Sequence, residues 1–231
     1  TLNFTNQNGI TGSYNAGTQI LTLSGTASLA NYQSALRSIS FSSTSDNPDS
    51  YGSATTRNIS VQVDDGAATN HASNTGTPTI TITAVNDAPV LSGAGNSVSY
   101  TAPGAATVID NALTITDPDS NSFIGAKITI SSGYVSGDTL NFVNQNGISG
   151  VYSAGSHTLT LSGSGTIANY HTALRSITFS SSSGDPTSSG TSTSRSISWQ
   201  LSDNSSTSAA VTSTVSIVDA VAPTLLSTSP V

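Results

Sequence analysis

Aspartates carry most of the chemistry that this sequence could perform, because all 12 acidic side chains of the 231-residue chain are Asp and only five side chains are basic. Three motifs follow or precede alternating apolar stretches: Asn86-Asp87 before Ala-Pro, Asp117-Pro-Asp119, and Asp203. Grouped carboxylate and amide oxygens are the hard ligands that Ca²⁺ prefers. For any one motif alone a turn is the stronger interpretation, since Asp-Pro and Asp-Gly are common in turns. Few Lys and Arg side chains are present to neutralise these carboxylates, so a bound cation stays open as the alternative.

Other residue types that support catalysis or metal binding form no recognisable pattern. The chain has no Cys, and His71, His157 and His171 lack the spacing of a zinc site. Serine is abundant, but no Gly-x-Ser-x-Gly elbow occurs. Without Glu, general acid–base catalysis would rest on Asp pairs, which metal binding explains better. We therefore expect a protein that is not an enzyme.

The net charge of −7 limits the partners that the chain can have. Five basic side chains cannot form the phosphate-neutralising surface that nucleic-acid binding requires. No apolar run approaches the roughly 20 residues that span a bilayer. We expect neither nucleic-acid binding nor membrane insertion, and the absence of Cys suits a secreted protein.

The sequence contains a long internal repeat. Thr1-Leu-Asn-Phe-Thr-Asn-Gln-Asn-Gly-Ile10 returns as Thr139-Leu-Asn-Phe-Val-Asn-Gln-Asn-Gly-Ile148, and about 40 of the first 70 residues are identical at this offset of 138. A self-similarity of this length indicates a duplicated domain. We predict one domain at residues 1–87, a second at 88–220, and the start of a following domain or a tail at 221–231.

The two copies differ before the repeated segment. The second copy has about fifty residues between Ala88 and Asp138, and nothing corresponds to them before Thr1. We therefore expect the first copy to lack its N-terminal strands. They would come either from residues of a longer array or by strand exchange with another molecule.

Alternating apolar residues predict short strands whose outward positions are mostly Ser and Thr. Such repeated, half-buried strands indicate a β-sandwich. One segment departs from the alternation, because residues 29, 32, 36 and 39 are apolar at helical spacing, with Ser28 as N-cap. The period-2 positions are Leu21/Leu23, Ile39/Phe41, Ile59/Val61/Val63, Ile80/Ile82, Leu113/Ile115, Ile128/Ile130, Leu159/Leu161, Ile177/Phe179, Ile197/Trp199/Leu201 and Val215/Ile217.

The order of the Asp motifs resembles the cadherin repeat, which has Asp-x-Asp after its second strand, an Asp ending a late strand, and an Asn-Asp linker. The segments Ala35-Leu-Arg-Ser-Ile39 and Thr83-Ala-Val-Asn-Asp-Ala-Pro-Val90 resemble cadherin-like tandem repeats of large bacterial surface adhesins of the RTX and VCBS type. This resemblance implies an all-β fold of tandem Greek-key β-sandwich domains, cadherin- or immunoglobulin-like, with the first copy truncated.

The resemblance also implies a calcium site at the linker, with Ca²⁺ making it rigid. Its ligands would be Asn86, Asp87, Asp117, Asp119 and Asp203. Asn121 could add its carbonyl, and Asp65, the first copy's counterpart of Asp203, would serve a preceding junction. Ala84 replaces the family's first linker Asp and no Glu is present, so one calcium fits better than three.

The implied function is structural. We expect an adhesive or structural repeat of a secreted bacterial surface adhesin or filament, involved in cell adhesion or biofilm, with neighbouring repeats as its partners. The alternative is a Ca²⁺-dependent lectin-like module that binds surface polysaccharide. Tyr51 and Tyr134 are the best loop residues for such a module.

Overall fold

The computed structural model describes residues 1–220, so the predicted start of a following domain at 221–231 lies outside the described residues. Strands dominate the described chain, with two nine-residue helices between them. In chain order the elements are β1 Leu2–Asn3, β2 Thr11–Asn15, β3 Ile20–Ser24, α1 Leu29–Arg37, β4 Ser40–Phe41, β5 Thr56–Asn58, β6 Thr79–Thr81, β7 Val90–Ser92, β8 Ser97–Ala102, β9 Thr107–Val108, β10 Thr114–Thr116, β11 Ser122–Ser132, β12 Asp138–Asn141, β13 Ser149–Ser153, β14 Thr158–Thr166, α2 Ile167–Arg175, β15 Thr178–Ser181, β16 Ser194–Ser202 and β17 Val211–Asp219.

The chain divides into two compact units after Ala84. Residues 85–87, which the sequence analysis assigned to the first copy, therefore belong with the second. The cause is local, because Asn86 and Asp87 form hydrogen bonds to Asp203 and Asp119 of the second unit. The first unit comprises residues 1–84, and the second is described from 85 to 220.

The second unit is an all-β sandwich, which confirms the predicted fold class. One sheet has six strands in the order β13-β14-β11-β16-β17-β8, and the others are β12-β15-β9 and the pair β10-β7. The inward side chains of all three sheets form one core around Trp199, which is fully buried. The Greek-key arrangement of tandem domains stays a prediction.

The central position of the six-stranded sheet is held by β11. It pairs antiparallel with β14 on one side and with β16 on the other, and its inward side chains Ile128 and Ile130 are at most 3% exposed. At the far edge β17 pairs with β8 in parallel, over the register from Thr214↔Ser97 to Asp219↔Ala102. Every inner strand therefore has hydrogen-bonded neighbours on both sides.

The predicted helix is present in both units and begins as expected. In α1 the Ser28 hydroxyl accepts a hydrogen bond from the Asn31 backbone N–H at 3.2 Å, and in α2 Thr166 does the same for Asn169. Both are N-cap contacts that satisfy otherwise free helix N–H groups. One face of α2 packs on the core, where Tyr170, Ala173 and Leu174 are buried.

The first unit repeats these elements in shortened form. The prediction of strand positions at Ile59, Val61 and Val63 is wrong, because β5 ends at Asn58. The backbone bonds of these residues to residues 73–78 form isolated bridges and no regular strand. The matching strand in the second unit, β16, is flanked on both sides by β11 and β17. No strand corresponding to β11 lies among residues 1–84, and only two hydrophobic residues of that range, Ile10 and Ala35, are buried.

Candidate metal centre

The five predicted ligand residues all lie in the second unit. Asn86 and Asp87 precede the buried Pro89 and β7, Asp117 follows β10 directly, and Asp203 follows β16 directly. Each thus occupies the point where a strand has ended or is about to begin. At these points the backbone leaves the sheet and its amide groups are free to bond carboxylates.

Hydrogen bonds connect the three motifs to one another. The Asn86 side-chain amide donates to Asp203 Oδ2 at 3.1 Å and to the Ser206 hydroxyl at 3.1 Å. The Asp87 backbone N–H donates to Asp119 Oδ2, also at 3.1 Å. Residues separated by up to 120 positions in sequence are therefore brought into one cluster. We call Asn86, Asp87, Asp117, Asp119 and Asp203 the Asp cluster.

Two aspartates of the Asp cluster also fold their own turns. Asp117 Oδ1 accepts the backbone N–H groups of Asp119 at 3.2 Å and Ser120 at 2.9 Å. Asp203 Oδ1 accepts those of Ser205 and Ser206, both at 2.5 Å. The turn interpretation is thus correct for these carboxylates, but each turn uses only one of the two oxygens.

Two carboxylate oxygens of the Asp cluster are chemically unusual. Asp117 Oδ2 and Asp119 Oδ1 are buried and have no hydrogen-bond partner. Burial raises the pKa of Asp117, and the neighbouring carboxylate of Asp119 raises it further. Buried polar atoms are normally paired, because an unpaired one has lost its water without compensation. Both oxygens are therefore available to a proton, a cation or an ordered water molecule.

In this structure, no three Asp or His side chains within residues 1–220 lie close enough together to hold a metal ion. The less central candidates lie apart from the contacts just described. Asn121 is exposed in the turn after Asp119. Asp65 belongs to the first unit, where its carboxylate accepts the Ala67 backbone N–H at 2.9 Å.

The sequence analysis missed a buried ion pair in the second unit. Arg195 and Asp138 are 0% and 2% exposed, and Arg195 Nε donates to Asp138 Oδ2 at 2.5 Å. A signal existed, because Arg195 repeats Arg57 of the first copy, and Asp138 stands immediately before the repeated segment. A second buried carboxylate, Asp110, was also missed and accepts the Ser213 hydroxyl at 2.6 Å.

The two tyrosines considered for saccharide binding differ in their surroundings. Tyr51 is 51% exposed. Tyr134 is partly buried against the core, and its ring stacks on that of His157 with centroids 3.5 Å apart. The ring of Tyr134 is therefore less accessible to a saccharide than its position in a loop suggested.

No known protein family matches the chain. Halomucin of Haloquadratum walsbyi is 34% identical over 122 residues, which make up 50% of this chain and 1% of that protein. The chain thus spans a very small part of this relative's length. The similarity and the all-β fold are compatible with a structural, non-catalytic role at the cell surface. No helix within residues 1–220 is long and apolar enough to cross a membrane.

Proposed function

We propose that the chain is a structural repeat of a secreted cell-surface adhesin or filament, and that its second unit binds Ca²⁺ through the Asp cluster. The observation that carries the calcium proposal is the pair of buried, unpartnered oxygens of Asp117 and Asp119. The similarity to halomucin supports the surface role at the coarser level. The cadherin-like character of the repeats is part of the same proposal.

The donor chemistry of the Asp cluster fits a hard divalent cation. Asp117 and Asp119 would each offer the oxygen that has no hydrogen bond, and Asp203 would offer Oδ2, which accepts from the Asn86 amide. Asn86 and Asp87 contact this network through N–H groups, so their oxygens would have to turn toward the ion to bind it. Ca²⁺ takes six to eight oxygen ligands in flexible geometry, so backbone carbonyls and water can complete the set. The ion pairs Asp64–His71 and Asp138–Arg195 involve other residues, so neither neutralises the Asp cluster.

Calcium bound here would fix the chain segment that connects the two units. Asn86 and Asp87 are exposed and are held to the second unit by a few hydrogen bonds. A cation shared with the buried Asp117 would add charge-assisted contacts at the same place. We propose that this anchoring is how calcium makes the connection rigid, as the family resemblance implies.

Calcium is therefore expected to stabilise the second unit. Extracellular sites bind with Kd of about 10⁻⁴ to 10⁻³ M, so 1 mM Ca²⁺ contributes up to roughly 1.4 kcal/mol by mass action. The measurement is urea unfolding followed by the fluorescence of Trp199, the single Trp of the chain, in CaCl₂ and in EDTA. MgCl₂ at equal concentration is the control, because Mg²⁺ dehydrates reluctantly. Superimposable curves in CaCl₂ and EDTA would refute the proposal.

A further inference from the structure

We propose that the first unit is the acceptor for an extended polypeptide segment of the same repeat type as residues 88–138, and that this segment places an acidic side chain on Arg57. The proposal rests on comparing each unit's internal contacts at the offset of 138. Side chains that are identical in the two copies and bond only within residues 1–84, such as Asn3, Asn6 and Gln7, have the same partners as in the second unit. By contrast, first-unit groups whose counterparts in the second unit bond to residues 88–138 have no partner of that kind.

Arg57 gives the clearest comparison. Its counterpart Arg195 is held by three backbone carbonyls and by the carboxylate of Asp138. Arg57 has the three carbonyls in the same sequence positions but no carboxylate, and it is only partly buried. The carbonyls belong to Pro186, Ser192 and Ser194 around Arg195, and to Pro48, Ala54 and Thr56 around Arg57. The Arg57 guanidinium therefore has the backbone acceptors of the buried ion pair but lacks its carboxylate.

Two residues of the helix show the same loss. In the second unit Arg175 Nε donates to the Leu113 carbonyl at 2.7 Å, and the Tyr170 ring packs edge-on against Phe123 at 5.9 Å. Tyr32 keeps the contact that lies inside its own unit, since its hydroxyl donates to the Gly25 carbonyl at 2.7 Å, as that of Tyr170 does to Gly163. Arg37 is exposed and Tyr32 is partly exposed. Their absent partners correspond to a carbonyl and an aromatic ring of residues 88–138.

The strands locate where the segment would lie. In the second unit β14 extends to Thr166 because its last residues pair with Ser122 and Phe123 of β11. In the first unit β3 stops at Ser24, and its inward residues Leu21 and Leu23 are partly exposed. Their counterparts Leu159 and Leu161 are 2% and 1% exposed. A strand in the place of β11, beside β3 and β5, would cover these side chains and pair the free backbone edges.

The comparison also indicates which chemical groups the bound segment, here called the occupant, must supply. It must supply alternating apolar side chains with a backbone ladder, an aromatic ring for Tyr32, and a carboxylate for Arg57, which only an extended polypeptide can do. The β11 strand of a second copy is not available, because Ile128 at its centre is 0% exposed and both its edges are paired. The occupant is therefore a further segment of this repeat type.

The test extends the full chain at its N-terminus by a copy of Ala88–Asp138, so that the added Asp precedes Thr1 as Asp138 precedes Thr139. Hydrogen exchange of backbone amides in β3 and over residues 59–63 is then expected to slow by about tenfold or more, because both segments gain a hydrogen-bonded neighbour on their free side. Exchange in β16 reports in the same sample that the second unit is folded. A matched extension ending in Asn instead of Asp should protect these amides less, since Arg57 again lacks its carboxylate.

Three outcomes overturn the proposal. The first is unchanged exchange of residues 59–63 in the extended chain while β16 stays protected. The second is an unextended monomer in which residues 59–63 already exchange as slowly as residues 197–201 of β16. The third is a dimer of the unextended chain, found by native mass spectrometry, with a protected first unit, which would make a second copy the occupant.

Discussion

Replacing Asp138 by Ala is expected to lower the free energy of unfolding of the second unit by about 3–5 kcal/mol, the cost of breaking a buried ion pair from one side. The reason is that Arg195 is 0% exposed and would keep its charge with only backbone carbonyls and the Ser192 hydroxyl as partners. Urea unfolding followed by Trp199 fluorescence measures the change, because this single Trp is 0% exposed and reports on the same core.

Two variants separate the buried charge from other effects of the substitution. Asp185→Ala removes a carboxylate that is exposed and bonds only to Thr187 and Ser189, so it should change stability much less. The double variant Asp138→Leu with Arg195→Met removes both charges and should recover much of the loss, since hydrophobic replacements of buried pairs are often neutral. A loss below about 1 kcal/mol in Asp138→Ala would contradict the role assigned to this pair.

The second large effect concerns calcium. Asp203→Ala is expected to raise the Kd for Ca²⁺ by about tenfold or more and to remove the calcium-dependent stabilisation, because it deletes a carboxylate from the Asp cluster. Asp65→Ala is the matched control, since Asp65 is the same repeat position in the first unit and should leave calcium binding unchanged. Isothermal titration calorimetry measures both affinities.

Because Asp203 also forms its own turn, its removal lowers stability even without calcium. The informative quantity is therefore the difference in unfolding free energy between CaCl₂ and EDTA for each variant. Asp203→Asn keeps an oxygen for the Ser205 and Ser206 amides and removes the charge, so it should lose the calcium response with less loss of stability. An equal loss of calcium binding in the Asp65 and Asp203 variants would contradict the proposed ligand set.

Local patterns in the sequence predicted the strands of the second unit and the start of the first unit's helix well. Alternation at Ile197, Trp199 and Leu201 indicated a half-buried strand, and the structure shows β16 with all three side chains fully buried. Ser28 indicated the start of a helix, because its hydroxyl can cap a free N–H without any tertiary contact. These features depend on neighbours within a few residues, which a single sequence displays directly.

Features that depend on distant partners could not be predicted in the same way. Ile59, Val61 and Val63 alternate as well as their counterparts do, and they bond to the backbone of residues 73–78. No regular strand forms there, because a second neighbour like the one that β11 gives β16 is absent, and the alternation does not reveal that. The Asp138–Arg195 pair joins residues 57 apart, and the sequence gives no sign of which acid meets which base. The Asp cluster was predicted through a family resemblance, whereas its two unpartnered oxygens depend on side-chain burial that only the structure shows.

The parallel pairing of β8 with β17 has a mechanical consequence. A stretching force applied between residues 97 and 219 would act on the N-terminal end of β8 and the C-terminal end of β17, which lie at opposite ends of the ladder. The six register pairs between Ser97 and Ala102 would then be loaded in shear, all at once, instead of opening one after another. Forced unfolding is governed by the unfolding rate. Under tension, the lifetime of the second unit would therefore depend on how fast these two strands slide apart, and its equilibrium stability would be a poor guide to its strength.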